Sequence, residues 1–231
     1  MFFPFFDPTM IIVIPGLLLA IYAQFKVKST FHHYSRVPSE RGKTGGQAAG
    51  EILRSQGLDY VDIEMIKGEL TDHYDPRDKV LRLSPEVYRG TSLASLGVAA
   101  HEAGHALQHA TGYTPLNIRN GLVPVANLGS TLAFPLFFLG FFFSFTLVKL
   151  GLWLFAFAVL FQLVTLPVEF NASSRAVALL ESNSFISRTE VSGTQKVLKA
   201  AALTYVAALL VSVLQLLRLV IISGVLRDSD S

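Results

Sequence analysis

The chain of 231 residues contains no cysteine. Disulfides are therefore excluded, and any bound metal must be held by nitrogen and oxygen ligands. Charge is scarce as well: charged residues make up 16% of the chain and the net charge is only +2. The basic residues are scattered, so a nucleic-acid role has no support. The N-terminus lacks the basic start and the small-residue cleavage site of a secretory signal, which makes the apolar run behind it a retained helix. No internal repeat and no low-complexity linker divides the chain. Hydrophobic residues, in contrast, reach 51%, with 18 phenylalanines and a mean hydropathy of +0.47. That is the composition of a membrane protein.

The apolar residues fall into runs of spanning length, about 9–25, 121–145, 148–168 and 201–225. The first is closed by Lys26 and Lys28. The second and third are separated by little more than Ser144 to Leu147, so they form an antiparallel helical hairpin across the bilayer. Pro124 and Pro135 lie inside the second run, where they would kink a helix. Arg218 lies near the far end of the fourth, from which it can snorkel to the interface. Ser187-Arg188-Thr189-Glu190 can cap the helix that leads into this last run. The expected fold class is a mainly α integral membrane protein with about four transmembrane helices. A small α+β cytoplasmic insert, about 29–116, completes a single domain over residues 1–231.

Orientation follows from the basic residues. Four crossings put residues 26–120 and 169–200 on one side, and that side carries sixteen of the nineteen lysines and arginines. The other side has Lys149 and Arg227. The positive-inside rule places the insert in the cytoplasm of a multi-pass protein of the cell (plasma or inner) membrane.

Within the insert, Gln47 to Gln56 has the pattern of a short amphipathic helix with Gly57 past its end. Val61 to Ile66, Leu70 to Tyr74 and Lys79 to Leu83 read as strands, the last two joined by Asp75-Pro76-Arg77-Asp78 turn chemistry. This predicts a small hairpin immediately before the next helix, able either to cover that helix or to pair with an extended peptide.

That next helix carries His101-Glu102-Ala103-Gly104-His105. Thr91 or Ser92 can cap its start, alanine and leucine fill it, and Gly112 can end it. On a helix, residues four apart share a face, so His101 and His105 can reach one tetrahedral ion while Glu102 reaches water beside it. As ordinary partly buried polar residues, two histidines and a glutamate among alanines would be costly. One zinc ion per chain is the expected cofactor, with Glu102 as general base.

A catalytic zinc needs a third protein ligand and an open position. Without cysteine, that ligand is histidine, aspartate or glutamate. His109 is one turn further along the same face, where a straight helix cannot easily wrap a third residue around the ion. It reads as a supporting or structural residue. His32, His33 and His73 are candidates distant in sequence. Glu169 is the best placed, because two intervening spans return it to the motif's side of the membrane. A carboxylate at the edge of a span is expensive unless paired or metal-bound. Pairing with Arg175 is the bland alternative, although Arg175 would face elsewhere on a straight helix.

The chain resembles the YugP-type neutral zinc metallopeptidases, a family of small multi-pass membrane proteins. The resemblance covers nearly its whole length. It rests on Leu70-Thr71-Asp72-His73-Tyr74-Asp75-Pro76-Arg77, on Ala99-Ala100-His101-Glu102-Ala103-Gly104-His105-Ala106-Leu107-Gln108 and on Leu166-Pro167-Val168-Glu169-Phe170-Asn171-Ala172-Ser173. Lys199-Ala200-Ala201-Ala202-Leu203-Thr204-Tyr205-Val206-Ala207 also matches. It implies a membrane-bound zinc protease with His101, His105 and Glu169 as ligands and Glu102 as base. The chain is more distantly similar to the membrane proteases of the CAAX-processing and HtpX type. Those pair the same motif with a glutamate opening an E-F-x-A-D stretch, and Ser173 stands here in place of their aspartate. One turn from Glu169, Ser173 could take over more weakly an aspartate's role in orienting a ligand.

Two other readings follow from the same residues. An intramembrane protease of the site-2 type would need an aspartate from another span, and no aspartate occurs between Arg119 and Glu169. A non-proteolytic membrane scaffold or assembly factor would retain the metal-binding fold without turnover. The expected partners are a protein or peptide substrate, membrane proteins among the candidates, and the lipid bilayer.

Overall fold

The structure is a computed structural model that describes residues 8–229, with side chains to Gly224. Residues 1–7, on which the absence of a secretory signal was argued, lie outside the described residues, as does the Arg227 side chain. After a 3-10 turn (Pro8–Ile12) the elements are α1 (Ile14–Tyr34), α2 (Gly45–Ser55), β1 (Asp62–Met65), β2 (His73–Asp75) and β3 (Val80–Leu83). There follow α3 (Pro85–Arg89), α4 (Leu93–Ala110), α5 (Thr114–Phe143), α6 (Phe145–Ser182) and α7 (Val191–Ser229). The chain forms two compact units, each gathered from separate segments: Met1–Ala23, Ile118–Leu166 and Thr204–Ser231 in the first, Gln24–Asn117 and Pro167–Leu203 in the second.

The first unit is helical and apolar. Among the described residues three helices, α5, α6 and α7, are long and apolar enough to cross a membrane. α1 is not one of them, because its apolar part gives way to the polar stretch from Lys26 to His33. α5 and α6 meet at Ser144, whose Oγ accepts from the Thr146 amide at 3.2 Å. Glycine permits close contact between them: a Cβ on Gly129 would come within 2.5 Å of the Leu154 carbonyl oxygen, and one on Gly151 within 2.7 Å of that of Ala133. Small residues of this kind bring helices together where lipid removes the hydrophobic drive. Phe137, Val148, Phe155 and Leu219 fill the interior, while Leu128, Phe142, Trp153 and Leu163 face outward. α5 continues through Pro124 and Pro135 as a single helix.

The second unit has a core of ordinary globular type, in which Phe31, Ile52, Leu81, Leu83, Leu96 and Leu180 are fully buried. α2 starts with a capping box, Thr44 accepting from the Gln47 amide and Gln47 returning to Thr44, and Gly57 leaves it at φ +69°. β2 and β3 form the expected hairpin, with Tyr74 opposite Leu81. β2 is shorter than predicted, because Gly68 and Leu70 both adopt positive φ and keep Leu70 out of the ladder. β1 joins on the far side, parallel to β3, giving the order β1-β3-β2 and leaving β2 at an edge. The hairpin does not run directly into the motif helix: Pro85, at the first turn of α3, inserts a short helix between them.

The later helices exceed their apolar runs. α6 continues past the span to Ser182, burying Ala172, Ala176, Leu179 and Leu180 on one face. At the start of α7 half of the predicted cap forms: the Ser187 amide donates to Glu190 Oε2 at 2.7 Å. The other oxygen of Glu190 accepts from the Glu40 amide at 2.8 Å.

Candidate metal centre

α4 is built as its sequence requires. Ser92 caps it by accepting from the Ser95 amide at 3.1 Å. It ends in a Schellman motif: the Gly112 amide donates to His109 O, the Tyr113 amide donates to Gln108 O, and Gly112 sits at φ +62°. Gly104, between the two histidines, faces α6 so closely that a Cβ there would lie 2.9 Å from the Ala172 carbonyl oxygen. A glycine in the motif therefore lets the backbone of α6 approach, and with it the residues on the first turn after its apolar run.

Glu169 is on that turn. His101 Nε2 lies 3.3 Å from Glu169 Oε2, and His105 Nε2 lies 3.6 Å from the same atom. The donor atoms of His101, His105 and Glu169 are all within 4.8 Å of one another, so the three could hold a metal ion. Zinc–ligand distances of about 2.1 Å at tetrahedral angles put neighbouring donors roughly 3.4 Å apart. The spacing and the donor types both fit zinc. The electrostatics point the same way: burial disfavours charge on His105, yet Glu169 and Glu102 outweigh it and hold its pKa above the ordinary value. Glu169 and Glu102 thus favour a positive charge at this site.

Both motif histidines are braced on their other nitrogen. His101 Nδ1 is 3.2 Å from Ser173 Oγ, so Ser173 reaches the ring. His105 Nδ1 is 3.0 Å from Gln108 Oε1. Gln108, fully buried, donates its Nε2 to Val168 O at 2.8 Å and to Asn171 Oδ1 at 3.0 Å. Arg175 donates its Nε to the same Asn171 oxygen at 2.8 Å, and its guanidinium lies over the Tyr113 ring. The arginine's partner is thus Asn171, and it reaches the site at second hand. Sequence reasoning gave Gln108 and Asn171 no role. The available signal was weak: Gln108 lies one turn beyond His105 in the capped helix, and Asn171 two residues beyond Glu169.

Glu102 is buried beside the hairpin, its Oε2 accepting from the Tyr74 backbone amide at 3.0 Å. The Tyr74 hydroxyl, its pKa pushed up to about 12 by burial, is 2.9 Å from His109 Nδ1. His109 therefore serves the hairpin and is not among the clustered donors. Asp72 ties the hairpin to the start of α3 by accepting from the Ser84 amide and hydroxyl, and burial raises its carboxyl above the usual range. The remaining candidates are elsewhere. His73 is exposed with Nδ1 at 2.8 Å from Thr71 O, His32 is 3.2 Å from Glu69, and His33 meets the Tyr34 ring edge to face.

The profile of a family described as "Putative neutral zinc metallopeptidase" matches residues 9–224. A protein of Bacillus subtilis (strain 168), "Putative membrane protease YugP", is 52% identical over 221 residues, which is 95% of this chain and 98% of that protein. No solved structure matches the chain significantly.

Proposed function

The chain belongs to the neutral zinc metallopeptidase family, and from that premise we propose that it hydrolyses peptide bonds at the cytoplasmic surface of the cell membrane. His101, His105 and Glu169 hold one zinc ion, and Glu102 is the general base. The observation that carries this reading is the convergence of the three donors within 4.8 Å in a chain without cysteine.

A zinc ion held there supplies a Lewis acid that acidifies water and polarises a carbonyl. The chain's own part is proton handling and positioning. Glu102 takes the proton from water as its oxygen attacks the peptide carbonyl, and passes it to the departing amine nitrogen. The Tyr74 amide keeps that carboxylate aimed. β2 lies at the edge of its sheet, but its Tyr74 amide is already taken by Glu102, so the hairpin covers the motif helix. Substrate and bilayer are then the partners, and both compact units serve one catalytic domain.

The topology we propose adds α1 to the three apolar helices as a fourth crossing. The first half of α1 exposes Leu18, Ile21 and Phe25, as a lipid-facing surface does, and Gly16 packs against Val211 of α7. With four crossings, sixteen of nineteen basic residues share the cytoplasmic side with the motif.

Metal analysis tests the centre. Purified wild-type protein should carry about one zinc per chain, and the His101→Ala, His105→Ala double variant none; equal metal content in the two would reject it. Single cysteines test the sidedness, since the native chain has none. In intact cells an impermeant thiol reagent should label Ser229→Cys and spare Ser55→Cys, and labelling at position 55 would reverse the orientation.

A further inference from the structure

A ligand histidine is useful only in one tautomer. His105 can offer Nε2 to a metal while neutral only if its proton sits on Nδ1. Nδ1 faces Gln108 Oε1 at 3.0 Å, and an amide could in principle present either end to it. If Gln108 presented its Nε2, His105 would be driven to carry its proton on the metal-facing nitrogen.

Two acceptors decide the orientation. The Val168 carbonyl, which can only accept, lies 2.8 Å from Gln108 Nε2. Asn171 Oδ1 lies 3.0 Å from the same nitrogen. Asn171 is itself an amide, but the Arg175 guanidinium can only donate, and its Nε approaches Asn171 Oδ1 at 2.8 Å. Arg175 in turn rests over Tyr113, which the Schellman end of α4 places there by bonding back to Gln108 O. The polarity is therefore set from a side chain that cannot reverse, through Asn171 and Gln108, to one ring nitrogen.

We propose that Gln108 is a positioning residue that holds His105 in the Nδ1–H tautomer, with its own amide oriented by Val168 O and by the Asn171–Arg175 pair. The proposal rests on His105 being a zinc ligand. It differs from that reading in placing part of the metal affinity in residues that never touch the ion.

The test uses full-length protein in detergent, with zinc affinity measured by competition with a chromophoric chelator. The ring nitrogens of His105 are read from the 15N shifts of zinc-free, histidine-labelled protein at a pH high enough to leave the imidazole neutral, because Glu169 and Glu102 raise its pKa. Gln108→Met should lower zinc affinity by about 10–100-fold, the usual cost of losing a partner behind a ligand, and His105 should become a mixture of tautomers. Because Gln108 is fully buried, the half-buried Asn171 supplies the second arm. Asn171→Leu should shift both readouts in the same direction, whereas Asn171→Asp, which still accepts from Gln108 and Arg175, should match wild type. Wild-type affinity and an unmixed Nδ1–H tautomer in Gln108→Met and Asn171→Leu would overturn the proposal, and so would equal damage from Asn171→Asp and Asn171→Leu. If the wild-type protein bound no zinc, the metal reading would fall, and the tautomer of the zinc-free chain would still decide for or against the relay.

Discussion

Glu102→Gln is expected to keep its zinc and to hydrolyse peptides at least about a hundredfold more slowly, the scale of losing a general base. Glutamine has the shape of glutamate and keeps an oxygen that can accept from the Tyr74 amide, so the hairpin contact at 3.0 Å survives. What it cannot do is take a proton from water. Glu102→Ala would be a poorer experiment, because it strips Tyr74 of its partner and opens a void in a buried place. Metal content and initial rates, measured on the same preparation, separate the outcomes. Retained hydrolysis in Glu102→Gln would reject the proposed mechanism. A membrane scaffold would respond differently, since its function would be indifferent to this exchange.

The contrast between Glu102 and Gln108 shows what the sequence could and could not reveal. Glu102 stood out because the pattern that marks it is local: a residue beside a histidine, on a helix whose cap at Ser92 and end at Gly112 are written in the adjacent residues. The hairpin was legible for the same reason, since Asp75 to Asp78 specify the turn and the flanking residues alternate. Gln108 acts on His105 within its own helix but is oriented from α6, sixty and sixty-three residues away. No local pattern encodes that. The parallel pairing of β1 with β3 is likewise a long-range choice. α3 was missed because five residues are too few for periodicity, although Pro85 marked its start. The polar half of α6 was read as the end of a span, since hydropathy falls there, while the buried face of Ala172, Ala176 and Leu180 keeps the helix going. The first run divides between a 3-10 turn and the apolar first part of α1, whose later residues are polar.

Loss of Glu169 should remove zinc binding itself. Glu169 is 2% exposed, and its carboxylate stands 3.3 and 3.6 Å from two imidazole nitrogens. A merely interfacial carboxylate would keep its water, and at this burial Glu169 cannot. Taking such a group out of water costs several kcal/mol unless a charge compensates it, so its place in the fold makes sense only if something positive sits beside it. Pairing with Arg175 is not the answer, for that side chain is bonded to Asn171. Protonated histidines could serve, and the raised pKa of His105 shows the same demand from the other side. A divalent ion meets it best, since two neutral imidazoles and one carboxylate leave the centre at +1. Glu169→Gln and Glu169→Ala should therefore weaken zinc by more than the roughly 10–100-fold that follows loss of an outer partner. His109→Ala should bind zinc as wild type does, because its ring is engaged by the Tyr74 hydroxyl. Chelator competition on the three variants decides the matter: if both Glu169 variants hold zinc as tightly as wild type while His109→Ala loses it, His109 is the third ligand.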